Sequence, residues 1–79
     1  MTDQRRPRRI DHEYFVLWNT ERRSFDIDCD GRSTSQFAYD KSTAIGIAIR
    51  EAQNDARLGL RAVVKSINNG AVRVEWSSP

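Results

Sequence analysis

The run Glu13-Tyr14-Phe15-Val16-Leu17-Trp18 is apolar after its first residue, and its β-branched and aromatic content predicts a strand. Asn19-Thr20-Glu21-Arg22 supplies turn residues. Arg23 to Cys29 then alternates, with Phe25, Ile27 and Cys29 on one face and Ser24, Asp26 and Asp28 on the other. That pattern predicts a half-buried strand ending at Asp30-Gly31. Ser33 to Tyr39 offers a short third strand, weakened by its serines. Asp40 has the side chain of an N-cap, so a helix is predicted from Lys41 to about Leu58, with Gly59 as its left-handed stop. Ala44, Ile45, Ala48, Ile49, Ala52 and Ala56 share one face of that helix, and Gly46, Arg50, Gln53 and Arg57 lie opposite. Small side chains on the contact face let a helix sit close on a sheet.

The last third of the chain reads as a hairpin, Leu60–Ile67 and Ala71–Trp76 around Asn68-Asn69-Gly70. Two registers compete. A two-residue Asn69-Gly70 turn sets Val63, Lys65 and Ile67 beside Val72, Val74 and Trp76, with a lysine on the core face. A type I turn with Gly70 in a bulge aligns Leu60, Ala62, Val64 and Ser66 with those three and sends Lys65 and Arg73 to water. The second register is preferred because it keeps the lysine out of the core. The elements sum to an α+β domain, ββαββ, or βββαββ if Ser33–Tyr39 pairs: one antiparallel-rich sheet with a single amphipathic helix on one face.

Length and charge add boundaries to this picture. The 79 residues divide into a basic arm over 1–12, predicted disordered, a single small domain over 13–76, and a frayed end over 77–79. A domain of this size buries only about 60% of its unfolded surface, so oligomerisation is a natural source of added stability. Arg5, Arg6, Arg8 and Arg9 against Asp3 give residues 1–9 a formal +3, leaving nine basic and ten acidic side chains in the body. No run approaches the ~18 apolar residues of a membrane span, and the arginines lack a following hydrophobic segment. The expectation is a cytoplasmic protein with no membrane association, and the single cysteine, Cys29, agrees with a reducing compartment.

Phe25-x-Ile27, Gly31, the stretch Asp40-x-x-x-Ala44-Ile45-x-x-Ala48-x-x-x-Ala52, the Val63-Val64 strand and Asn69-Gly70 together resemble a family of short bacterial proteins of unknown function. In that family a Trp-x-Val strand precedes an alanine-rich helix opening near Glu-Ala-Ile, and a closing hairpin follows. The resemblance spans roughly residues 13–76, with Phe25 in place of the tryptophan and Thr43 in place of the glutamate. It implies the ββαββ architecture and no site.

Asp26-x-Asp28-x-Asp30-Gly31 reproduces the first six positions of a calcium-binding EF-hand loop. The twelfth position is Phe37 where a bidentate glutamate is needed, and the preceding segment alternates as a strand, so these aspartates read as a solvated strand face. His12, the single histidine, stands at the arm–strand boundary, and Cys29 falls on the inward face as a small hydrophobe. With no Gly-rich phosphate loop and no nucleophile–base pairing in the pattern, the sequence predicts no catalytic residue, no metal site, no cofactor and no enzyme.

Strand 13–18 is apolar on both faces. Tyr14, Val16 and Trp18 point one way, Phe15 and Leu17 the other, and one helix covers one face. Phe15, Leu17, Val63 and Ile67 are therefore the candidate interface for a second copy or a protein partner. The competing arrangement closes that face with residues 33–39, Phe37 and Tyr39 lying over it. The alternative function is nucleic-acid binding through Arg5, Arg6, Arg8 and Arg9 acting as an electrostatic arm.

Overall fold

A computed structural model describes residues 9–79. The chain order is β1 (His12–Asn19), β2 (Ser24–Cys29), β3 (Arg32–Ala38), α1 (Lys41–Arg57), β4 (Ala62–Asn68) and β5 (Ala71–Ser77). The strands form one sheet in the order β3-β2-β1-β4-β5, antiparallel except for the β1–β4 pair, which is parallel. The architecture is thus βββαββ with a mixed sheet. The simpler ββαββ reading omitted β3, whose pattern its own bulge obscures. Ser35 takes φ 67°, the register against β2 shifts between Ile27 and Asp28, and the Thr34 hydroxyl donates to the Ile27 carbonyl at 2.7 Å.

The parallel pair follows from chain direction. Since β3 runs with β1, it delivers the chain to one end of the sheet, and α1 carries it back across the face. At ~1.5 Å per residue, the 17 residues of α1 are long enough to recross the strands. Entering there, β4 must run with β1, and it takes the edge that β2 leaves open.

Local chemistry sets each boundary. Asp30-Gly31 (φ 53° and 83°) and Asn69-Gly70 (φ 51° and 82°) both make two-residue hairpin turns with positive φ at both positions. The Asp40 carboxylate accepts from the Thr43 N–H at 3.0 Å at the start of α1. At the other end Gly59 (φ 85°) donates to the Ala56 carbonyl and Leu60 to the Asp55 carbonyl, both at 3.0 Å, a Schellman stop. Among the described residues no helix is long and apolar enough to cross a membrane.

The core lies between α1 and one face of the sheet. Ala44, Ala48 and Ala52 are fully buried against Val16, Ile27, Val64 and the Tyr14 ring, with Ile45, Ile47, Ile49 and Trp76 packed at its margin. The largest wholly buried side chains are Ile27, Val16 and Val64. No aromatic or leucine is fully enclosed among the described residues, which makes this a thin core.

Three boundaries differ from expectation. The β4–β5 hairpin uses the two-residue turn, pairing Ile67 with Val72 and Lys65 with Val74. A bulge between Val64 and Lys65 then swings Trp76 opposite Val64, onto the helix side. The two-residue register therefore holds near the turn, and the preferred register with its Gly70 bulge is not adopted; of its facings only that of Trp76, on the Val64 side, is found. Lys65 and its valine neighbours face away from α1, so the lysine never enters the core. At the N-terminal side, β1 begins at His12, which belongs to the sheet and not to an arm, and Asp11 is tied down just before it. The Asp11 N–H donates to the Arg61 carbonyl and the Arg61 N–H to the Asp11 carboxylate, both at 2.8 Å. At the C-terminal side, Ser77 lies in β5, and Ser78 bonds Ala62 through both its backbone N–H (2.9 Å) and its hydroxyl (2.8 Å), which ties down the end expected to fray.

Ala48→Leu should lower the unfolding free energy by about 1–3 kcal/mol, because there is no room between helix and sheet for the added carbons. Gly46 is exposed in mid-helix with open space where a Cβ would sit, so Gly46→Ala should raise it by about 0.5–1 kcal/mol. Denaturant titration of both variants checks the orientation of α1, and equal effects would contradict it.

Candidate functional site

Two regions carry chemistry beyond the core. The first is the sheet face opposite α1. Pairing sets Phe15 and Leu17 of β1, Val63, Lys65 and Ile67 of β4, and Val72 and Val74 of β5 on this side. The four residues expected to form an interface thus share one face. Their burial is graded: Val63 is nearly enclosed, Phe15, Leu17 and Ile67 are half-buried, and Val72 and Val74 are 58% and 57% exposed. The Lys65 ammonium bonds the Glu13 carboxylate at 2.5 Å and lies 5.7 Å from the Phe15 ring centre, so its alkyl stem rides over apolar surface. Residues 33–39 do not close this face. Arg32–Ala38 extends the sheet sideways as β3, with Phe37 and Tyr39 packed edge-to-face at 5.6 Å on each other and Arg22 lying 4.7 Å from the Phe37 ring centre.

The acidic run of β2 borders the same face without converging. Asp26 accepts from the Asn19 amide at 2.7 Å and the Ser24 hydroxyl at 2.8 Å, and the first of these bonds does most to hold its carboxyl below the usual range. Asp28 lies opposite Phe15 on the strand, and Asp30 belongs to the turn. Asp26 and Asp30 thus bond different groups at opposite ends of the strand.

The second region is the end of the sheet where the β2–β3 turn meets the start of β1. Here Asp30 Oδ2 lies 2.8 Å from His12 Nδ1, and Cys29 Sγ lies 3.7 Å from each of those atoms. The other Asp30 oxygen accepts the Glu13 N–H at 2.9 Å, and the Asp30 N–H donates to the Glu13 carbonyl at 2.9 Å. The bond to Asp30 raises the His12 pKa above 6.5, and the same bond lowers that of Asp30. Burial, then the neighbouring Asp30 charge, pushes the Cys29 thiol up to about 11. Such a thiol is a poor nucleophile at neutral pH. Cys29 is half-buried and lies against polar partners, which corrects its expected role as an inward-facing small hydrophobe.

This cluster was missed because its members stand 17 and 18 positions apart and only strand pairing unites them. The signal was nonetheless present: with the hairpin register set by the 13–18 and 23–29 patterns, Tyr14 falls opposite Cys29 and the Asp30 turn must reach back to His12. The arm residues Arg5, Arg6 and Arg8 lie outside the described residues, and Arg9 is exposed at their start.

Between the regions runs a strut from sheet to helix, in which the Tyr14 hydroxyl donates to the Asp55 carboxylate at 2.6 Å. Burial of the ring, followed by this bond and the Asp55 charge, raises the Tyr14 pKa well above the ordinary phenol value. An acid with a raised folded pKa contributes stability that is complete below its unfolded pKa, about 10, and is lost as pH climbs toward the folded value. Tyr14→Phe should cost roughly 1–3 kcal/mol at pH 7 and flatten the fall in stability above about pH 10. Denaturant midpoints measured across that range check both signs, and an unchanged alkaline slope would contradict the strut.

No family model matches the chain, and neither a curated protein nor a solved structure matches it, so the functional reading rests on these residues alone.

Proposed function

We propose that this protein is a non-enzymatic interaction module that pairs with a second copy of itself through the helix-free face of its sheet. The observation that carries the reading is the patch formed by Val72 and Val74, 58% and 57% exposed, continuous with Ile67, Leu17 and Phe15 across β5, β4 and β1. Contiguous apolar surface of this kind on a small domain marks interfaces. The thinness of the core supports a second copy as the occupant. Two sheets packed face to face would enclose Phe15, Leu17 and the β5 valines and supply the second apolar layer that one helix cannot. Asp26 and Asp28 at one side of the patch match the polar rim of an ordinary interface.

Sedimentation equilibrium at high micromolar concentration should give a dimer for the parent chain. The double variant Val72→Glu/Val74→Glu should weaken the dimer by more than about tenfold, roughly 1.4 kcal/mol, with circular dichroism unchanged because both positions are exposed in the single chain. A parent chain that sediments as a strict monomer at that concentration removes the proposal.

A further inference from the structure

We propose that His12, Cys29 and Asp30 form a binding site for one tetrahedrally coordinated divalent cation of the zinc class, at the end of the sheet away from the apolar patch. The three donor atoms make a triangle with sides of 2.8 Å (Nδ1 to Oδ2) and 3.7 Å (Sγ to each). Zinc bonds of about 2.3 Å to sulfur and 2.0–2.2 Å to nitrogen or oxygen set tetrahedral ligand atoms roughly 3.3–3.6 Å apart. The two sulfur edges already have nearly that length. The nitrogen–oxygen edge is shorter because the imidazole and the carboxylate share a proton in a direct hydrogen bond. Binding replaces that proton with the metal and opens the edge by about half an ångström.

The arrangement separates a metal site from the other chemistry these residue types suggest. A nucleophilic relay needs the thiol and the carboxylate at opposite ring nitrogens, so that histidine takes a proton at one and is oriented through the other. Here both Cys29 and Asp30 approach Nδ1. Convergence of all three on one point is of no use to a relay, and it is the requirement for sharing an ion.

The ligands are held in place before any ion arrives. The Glu13 N–H fixes one Asp30 oxygen and so aims the other at the cluster, the role that outer partners of metal ligands play. The Asp30-Gly31 turn fixes the Asp30 backbone, and pairing with Tyr14 fixes Cys29. Asp55 and Asp11 add negative charge near the imidazole. With the His12 and Asp30 side chains 37% and 47% exposed, an ion enters from solvent and keeps water in its fourth position. Binding is an exchange of protons for metal: the thiol proton and the Nδ1 proton pass to solvent, the ring keeps or takes up one proton at Nε2 so that a neutral imidazole ligates, and no group changes oxidation state.

The test is titration of the untagged, reduced full chain with Co²⁺. The expected result is saturation at one equivalent, with the strong visible bands of tetrahedral cobalt and a thiolate-to-cobalt charge-transfer band, all bleached by added Zn²⁺. Cys29→Ser should lose the charge-transfer band, and Cys29→Ser, His12→Gln and Asp30→Asn should each weaken binding by tenfold or more. Glu21→Gln, in the turn at the other end of β1, should bind as the parent does. A weak octahedral spectrum at saturating Co²⁺, or parent-like affinity in Cys29→Ser, overturns the proposal. Alkylation of Cys29 in the parent chain needs no variant to fold: excess Zn²⁺ should slow it more than tenfold, and an unchanged rate overturns the proposal equally.

Discussion

A single helix with an alanine face can cover only one side of a five-stranded sheet, and the rest of this structure follows from that limit. Ala44, Ala48 and Ala52 bring α1 close to Val16, Ile27 and Val64, and every wholly buried aliphatic side chain larger than alanine lies in that layer. The apolar side chains that point the other way have no such cover. Lys65 and its Glu13 partner shield Phe15 in part, and the β5 valines are left in water. Since apolar burial is worth about 25 cal/mol per Å² and a domain of this size has little margin, the uncovered face is where added burial would stabilise most.

The position of β1 in the sheet turns that architecture into sites. As the central strand, paired antiparallel to β2 and parallel to β4, it contributes Phe15 and Leu17 to the open face and Tyr14 and Val16 to the core. Its first residue is brought against the β2–β3 turn, which is how His12 meets Cys29 and Asp30. The Tyr14–Asp55 bond anchors the last turn of α1 beside that same end. The patch and the polar cluster are therefore two consequences of one central strand, lying on different parts of the molecule.

What could be read from the sequence was whatever neighbouring residues encode. The Asp40 cap, the Gly59 stop, the alanine face and the alternation of Phe25, Ile27 and Cys29 each act within a turn or a strand, and each was legible. So was the two-faced character of residues 13–18, which singled out Phe15 and Leu17. Features created by pairing were harder to see. The bulge at Ser35 hid β3, the bulge after Val64 turned Trp76 to the helix side as neither uniform hairpin register could have foretold together with the turn, and the parallel β1–β4 pair has no local signature. Cys29 is the clearest example, since its inward side was correctly read while the polar partners that define its surroundings come from 17 residues earlier in the chain.

The central claim is that the side of the sheet facing away from α1 is the working surface of this domain. Amide chemical shifts followed by NMR on dilution from high to low micromolar concentration test it most directly. The account predicts concentration-dependent shifts at Phe15, Leu17, Val63, Ile67, Val72 and Val74, with the exposed helix positions Arg50, Gln53 and Arg57 unmoved. Shifts confined to α1, or a spectrum independent of concentration, would contradict it.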